Sequence, residues 1–339
     1  MAPLASLSLL CVTLLVCATA PNATAHRTLR EGFYSETCPR AEEIVRETVE
    51  FGLLLNPGAA GGLIRLFTHD CLVKGCDASI LLDDTPTGEP VEKDSPPNRG
   101  SLRGLSIIDD AKRRLESVCP GTVSCADILA FAARDAVVLS SLSSYSVPAG
   151  RRDACASRAT DVAGNLLPPT ASVSNLTSLF AAKGFSQEEM VTLLGAHSVG
   201  GAVCPTFDYR LYNYRPGQPQ DPTMDPLFAS YLKLRCPRTR SYFFPMMRSF
   251  SNRYVPFNPL SALRQGNTFY VDLIKGKALL ESDQGLMGDA DTSSIVRQMA
   301  AAGPAWWAEE FGRAMVKLGK VGVLTGNRGE VRRWCRRVN

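Results

Sequence analysis

Histidine is nearly absent from this chain: three occur among 339 residues, beside 37 Lys and Arg and 33 Asp and Glu. Proton transfer near neutral pH, or metal ligation through imidazole, must therefore use one of three positions. No Lys- or Arg-rich block occurs and the formal net charge is only +4, so nothing continuous would track a phosphate backbone, which argues against nucleic acid as a partner. The Gly-x-Ser-x-Gly elbow of a serine hydrolase is missing, and Ser198 beside His197 does not make a nucleophile–base pair. There is no internal repeat, low-complexity tract or linker long enough to separate independent domains. Residues 4–20 form one long apolar run, shorter than the roughly 20 residues that a membrane-spanning helix needs.

That run has the composition of a secretory leader. The first charged side chain is Arg27, and Ala18-Thr19-Ala20 and Ala23-Thr24-Ala25 are both small-x-small cleavage candidates, although the positive start is only the terminal amine. We take 1–25 as the leader and 26–339 as the mature domain. Of 11 cysteines, Cys11 and Cys17 leave with it and nine remain, an odd number that suggests four bridges and one thiol over in an oxidising compartment. Asn175-Leu176-Thr177 is then a usable glycosylation sequon, whereas Asn22-Ala23-Thr24 departs with the leader.

Helical periodicity dominates the mature domain. Residues 41–55 place Ile44, Val45, Val49 and Leu53 on one face, and 62–73, 102–118, 125–139, 173–183, 186–194 and 295–318 repeat the period. Ser186-Gln187-Glu188-Glu189 is a capping box opening the segment that runs to His197. The stretches 83–104, 148–169 and 216–226 are rich in Pro and Gly and read as surface loops. Strand patterns are short and few, so the expected class is mostly α, with long loops braced by disulfides.

With His26 at the cleavage region, His69 and His197 carry any imidazole chemistry. Arg65 lies four residues before His69, on the same helical face, a pairing suited to a reaction in which negative charge develops while a proton moves. Asp70 is the next residue and must point elsewhere. The segment from Asp70 through Val73, Gly75, Asp77 and Ser79 concentrates two carboxylates, a hydroxyl and turn carbonyls, an oxygen-rich cage suited to calcium; a simpler role for Asp77 is to cap the next helix. Zinc at His69, Cys71 and Cys76 is disfavoured, because oxidised cysteines offer no thiolate and the spacing allows a small Cys71–Cys76 loop. Cys155 has no nearby His in sequence to make it a nucleophile.

These segments resemble the secreted (class III) plant haem peroxidases. The likeness rests on residues 65–79, on Leu193-Leu194-Gly195-Ala196-His197-Ser198-Val199-Gly200, on Phe33-Tyr34-x-x-x-Cys38-Pro39, on Gly150-Arg151-Arg152-Asp153 and on Ser282-Asp283-Gln284. It covers about residues 33–339. The resemblance implies the haem-peroxidase fold, with a distal half (about 26–170) and a proximal half (about 171–339) sandwiching haem b. It implies His197 as axial ligand to the iron, Asp283 as acceptor of its other N–H, His69 as the base toward hydrogen peroxide, Arg65 as charge stabiliser and Asn98 as the group fixing the His69 tautomer. Distal calcium would be held by Asp70, Val73, Gly75, Asp77 and Ser79, with Glu92 holding a water. Bridges Cys38–Cys119, Cys71–Cys76, Cys125–Cys335 and Cys204–Cys236 are implied, with Cys155 left over.

The pattern also has departures. Thr68 stands in place of the usual distal aromatic, and Leu167 in place of a Pro whose carbonyl receives the aromatic donor. Asn258 and Gly266 occupy positions where the proximal calcium normally meets Asp, leaving Ser198 and Ser261 as hydroxyl ligands, so one tightly held calcium is expected where the family usually holds two, unless Asp272 substitutes. The expected activity is reduction of hydrogen peroxide to water with one-electron oxidation of small phenolic donors: cell-wall phenolics, lignin-type chemistry, peroxide removal and the response to oxidative stress. A monomer outside the cell, in the apoplast or wall and free of membrane once the leader is cleaved, is the expected setting. The competing reading is a secreted binding or wall-structural protein of the same fold with little turnover.

Overall fold

The computed structural model describes residues 28–238, 253–259, 263 and 266–339; the expected leader, His26 and Ser261 lie outside them. Twelve α-helices run through the described residues: α1 (Ala41–Leu55), α2 (Ala59–Val73), α3 (Leu105–Val118), α4 (Cys125–Leu139), α5 (Val173–Ala182), α6 (Gln187–Leu194), α7 (Tyr209–Tyr212), α8 (Pro226–Arg235), α9 (Thr268–Ile274), α10 (Glu281–Gly285), α11 (Ala290–Ala301) and α12 (Pro304–Leu318). Two three-residue strands, β1 (Gly201–Val203) and β2 (Tyr254–Pro256), pair antiparallel with Ala202 opposite Val255. The class is mostly α, as expected.

The centre is α4. It is buried all round from residue 125 to 137, mostly through apolar side chains, and it packs on α1, α2 and α3. Ser124 caps it, its hydroxyl accepting from the Asp127 N–H at 3.2 Å. Asp153 adds a second cap from a distant loop, accepting from the N–H groups of Cys125 (3.1 Å) and Ala126 (2.9 Å) and also from Arg332 N–H at 2.9 Å. Asp127, one turn in, accepts from Tyr34 Oη at 2.7 Å and Arg151 Nη1 at 2.7 Å, while Arg151 Nη2 donates to Gly319 O at 2.6 Å. All three of Asp127, Arg151 and Asp153 are buried. The Gly150–Asp153 motif thus ties the start of α4 to the turn after α12.

The remaining helices continue the same core. On its other side α6 packs against α11 and α12, and α9 against α11. A smaller core of Phe207, Leu211, Met224, Phe228, Leu232 and Val255 gathers α7, α8 and β2. The helix expected over 295–318 is two helices: Ala302 is extended (ψ 147°), Gly303 opens α12 and Pro304 occupies its first turn. Apolar periodicity carries across that break because both helices face one core, but Pro304 has no N–H to continue α11.

Disulfides join Cys38–Cys119, Cys71–Cys76, Cys125–Cys335 and Cys204–Cys236, the pairs that the resemblance implied. Cys155 takes part in none of these four bridges. The small Cys71–Cys76 loop also removes any thiolate for zinc. Cys125–Cys335 spans 210 residues and Cys71–Cys76 only 5. Loop-closure entropy puts the first at about 5 kcal/mol and the second at about 2 kcal/mol. The double variant Cys125→Ala/Cys335→Ala is therefore expected to lose more than twice the stability lost by Cys71→Ala/Cys76→Ala in guanidinium unfolding; equal losses would contradict this assignment of their effects.

Candidate active site

Both key histidines sit where a regular element meets a turn or loop that fixes their rings. His69 lies on the last two turns of α2, and its Nδ1 is 2.8 Å from Asn98 Oδ1. Asn98 is buried, and its Nδ2 donates to Glu92 O at 2.9 Å, which orients the amide oxygen toward the ring. An amide oxygen only accepts, so Nδ1 carries the proton and Nε2 is left with its lone pair. Burial, then the nearby Arg65 charge, lowers the His69 pKa to about 3 against a smaller opposing effect from Asn98. The imidazole is thus a neutral base throughout the physiological range.

Arg65 is held by the loop around Asn98. Its Nη2 donates to Pro97 O at 2.8 Å, and its Nη1 to Ser101 O and Ser101 Oγ, both at 3.2 Å. Burial, with Arg103 nearby, lowers its pKa to about 10, which leaves it charged at neutral pH. Thr68 turns back on its own helix, donating from Oγ1 to Ile64 O at 2.9 Å, so it adds no ring beside His69.

His197 lies in the short 3₁₀ turn 195–198 directly after α6, whose capping box is formed as read from the sequence. Its Nδ1 meets Asp283 on α10 at 2.9 Å to Oδ2 and 3.1 Å to Oδ1. The same reasoning gives a donating Nδ1 and an open Nε2 lone pair. His197 and His69 are close enough to act on one another electrostatically. Two aromatics that sequence reasoning missed frame His197: Phe257 stacks on its ring at 4.6 Å and Phe269 meets it edge-on at 6.2 Å. Both lie far along the chain, where no spacing points to them. The helix of His69 meets the backbone just beyond the turn of His197 at Gly200, where a Cβ on Gly61 would stand 2.9 Å from Gly200 Cα.

The oxygen cage after α2 is assembled but electrostatically unbalanced. Asp70 accepts from the N–H groups of Ala78 (2.9 Å) and Ile80 (3.3 Å), and Asp77 from that of Ser79 (3.0 Å). Ser79 Oγ faces the Glu92 carboxylate outside hydrogen-bond geometry, so this hydroxyl and both Glu92 oxygens are buried without a partner. Burial followed by repulsion from Asp77 and Glu92 holds the Asp70 carboxyl well above its usual range; burial raises Asp77 as well, and pushes Glu92 up to about 8. Gly75, at φ 137°, packs so closely on Gly322 that a Cβ would meet its carbonyl oxygen at 2.4 Å. Val73 O also accepts from Lys183 Nζ at 3.1 Å, a contact invisible in the sequence. Among the described residues no three His, Cys, Asp or Glu side chains form a metal site by themselves, so hydroxyl and carbonyl oxygens must complete any shell here.

The proximal position, where a second calcium was not expected, is only partly assembled. Ser198 Oγ accepts from Gly266 N–H at 3.3 Å, and Asn258 Nδ2 donates to Asp272 Oδ2 at 3.1 Å. Asp272, the substitute carboxylate considered from sequence, is therefore present but already engaged. Leu167 is half-buried against the main core; two residues on, Pro169 O accepts from Ser282 N–H at 2.8 Å, which ties this segment to the helix of Asp283.

Residues 45–302 match the family described as peroxidase. The chain is 47% identical over 311 residues to peroxidase 5 of Vitis vinifera, with 92% of each chain covered. It is 44% identical to peroxidase 25 of Arabidopsis thaliana, again covering 92% of each, and 42% identical to peroxidase 1 of Zea mays, covering 94% of this chain and 85% of that one. The chain belongs to the plant (class III) peroxidase family.

Proposed function

We propose that this peroxidase acts on hydrogen peroxide between His69 and His197 and draws its electrons from small phenolic donors outside the cell. The reading is carried by one observation: each imidazole has its Nδ1 committed to an acceptor, Asn98 Oδ1 or Asp283 Oδ2, so both Nε2 atoms are free. That donor set fits a haem, with His197 Nε2 as ligand to its iron. Asp283, accepting from Nδ1, makes His197 the more basic ligand. Bound haem would supply two-electron reduction of the peroxide bond and accept electrons singly from donors.

The chain's own residues handle the protons. Neutral His69 Nε2 takes the proton from the incoming peroxide oxygen and returns it to the departing one, so water leaves rather than hydroxide. Arg65 supplies fixed positive charge as the departing oxygen becomes negative, and its three loop contacts hold it in place. The carbonyl at Leu167 is our proposed contact for the donor hydroxyl. For the acidic loop we propose calcium, coordinated by Asp70, Val73, Gly75, Asp77 and Ser79 with Glu92 through water; the unpartnered Ser79 and Glu92 oxygens and the mutual repulsion of the carboxylates support a cation there. Exposed Asn175, the disulfides and the apolar leader sequence support an extracellular setting, and no described helix is long and apolar enough to cross a membrane.

His69→Ala is expected to retain its haem absorption band while reacting with peroxide about two to four orders of magnitude more slowly. His197→Ala is expected to lose most of its haem or ligate it differently. A wild-type peroxide rate in His69→Ala, by stopped flow, would refute the base assignment.

The pH profile is set by burial. A base with its pKa lowered to about 3 is unprotonated at every pH well above that value, and protonation removes it only as pH falls toward it. The rate with peroxide should therefore stay level from neutral pH to about pH 4 and fall below, whereas an ordinary histidine would lose half its base form near 6.5. A midpoint near 6.5 in stopped-flow measurements would contradict this environment for His69.

For calcium we expect one tightly held ion per haem. Asp70 and Asp77 give the first loop two anionic oxygens, while Asp272 has an oxygen already committed to Asn258. Elemental analysis after gel filtration in metal-free buffer checks it; two calcium ions per iron would show that the position around Ser198 binds as well.

A further inference from the structure

Two of the chain's three tryptophans stand side by side on α12, Trp306 at 42% exposure and Trp307 fully buried. Trp307 points inward to a run of aromatic groups. Its Nε1 donates to Tyr270 Oη at 2.8 Å, and the two rings lie 6.1 Å apart. Tyr270 is 5.1 Å from Phe269, and Phe269 is 6.2 Å from His197. The same pair presses on the backbone just before that histidine: a Cβ on Gly195 would stand 2.4 Å from Tyr270 Oη and 2.7 Å from the Trp307 ring. A chain of ring contacts therefore runs from Trp307 to His197, each step near 5 or 6 Å, and exposed Trp306 adjoins its outer end through the helix backbone.

Packing alone does not require this chemistry. Two phenylalanines would fill the same helix positions, and neither would be easily oxidised. Indole and phenol rings lose an electron far more readily than Phe or aliphatic groups, and transfer between rings in near contact is fast. We propose that Trp306 and Trp307, with Tyr270 and Phe269, form a one-electron route by which phenolic groups on donors too large to reach the haem, such as phenolic polymers, are oxidised at the exposed Trp306 ring. The proposal rests on the haem and donor reading above.

The electron count closes with hydrogen peroxide as the only oxidant. Trp307 gives one electron inward and becomes a radical cation. Its N–H is bonded to a Tyr270 hydroxyl whose own proton is directed at Val191 O (3.1 Å) and Thr192 O (3.2 Å), so no base takes the indole proton and the ring is ready for refilling. Trp306, adjacent on the helix, refills Trp307 and is itself refilled by a phenol in contact with it. Each phenol loses one electron and one proton and leaves as a phenoxyl radical. Two such events supply the two electrons and two protons that convert one peroxide into two waters.

The test uses the haem-loaded enzyme and three single variants. Trp306→Phe should oxidise a small phenol at the wild-type rate and a water-soluble phenolic polymer about tenfold more slowly. Freeze-quench electron paramagnetic resonance, after peroxide is added without donor, should show a tryptophanyl radical in wild type. The signal should vanish in Trp307→Phe and persist in Trp334→Phe, whose exposed indole sits beside Arg337 and is not one of the rings in contact along this path. An unchanged Soret band and circular dichroism in Trp307→Phe verify that the variant is folded and loaded. Polymer oxidation at the wild-type rate in Trp306→Phe, or no tryptophanyl radical in wild type, would overturn the route. Loss of small-phenol turnover in the wild type itself would instead refute the haem reading.

Discussion

Burial of Asp153 at the start of α4 is the constraint on which the molecule turns. A carboxylate without water survives only if several donors satisfy it, and Asp153 takes the first two N–H groups of the central helix and that of Arg332. One side chain thereby joins the helix at the core to the last residues of the chain, next to the Cys125–Cys335 bridge. Asp127 and Arg151 repeat the device one turn further in, reaching Tyr34 near the start and Gly319 near the end. Removing one member of such a cluster leaves its partner charged and buried, so the cluster acts as a unit.

With α4 fixed, α2 has one way to lie on it, and the ends of α2 then serve two different chemistries. His69 and Asp70 are adjacent on the helix and point apart, one to Asn98 and one to the loop around Ala78. Glu92 couples them: its carbonyl orients Asn98, and its carboxylate faces Ser79 in the acidic loop. The proton chemistry of His69 and the charge balance of the acidic loop therefore share one short turn, and an ion neutralising that loop would also steady the amide that fixes the His69 tautomer. On the far side, α6 delivers His197 to Asp283, while Phe257 and Phe269 frame His197 and Tyr270 and Trp307 pack behind Phe269. A buried, weakly polar surround is what lets a few fixed dipoles and charges govern the chemistry.

The sequence by itself determined the local events. Periodicity marked α1 and α4 to their ends, because an amphipathic or predominantly apolar run of helix formers states its own element, and the Ser186–Glu189 box is a contact made within four residues. Scarcity of histidine singled out His69 and His197, and helical spacing then pointed to Arg65. The join between α11 and α12 was missed because one apolar face spans both, although Gly303 and Pro304 carried the signal. Only the tertiary structure decided contacts that span the chain: Lys183 on Val73 O, Asp272 on Asn258, Phe257 against His197, and the roles of Arg151 and Asp153 in the core. These are set by where packed helices bring distant residues, and no local spacing encodes that. Whether a carboxylate is a surface charge or a buried demand for a cation depends on how much water it keeps, which only the folded chain fixes.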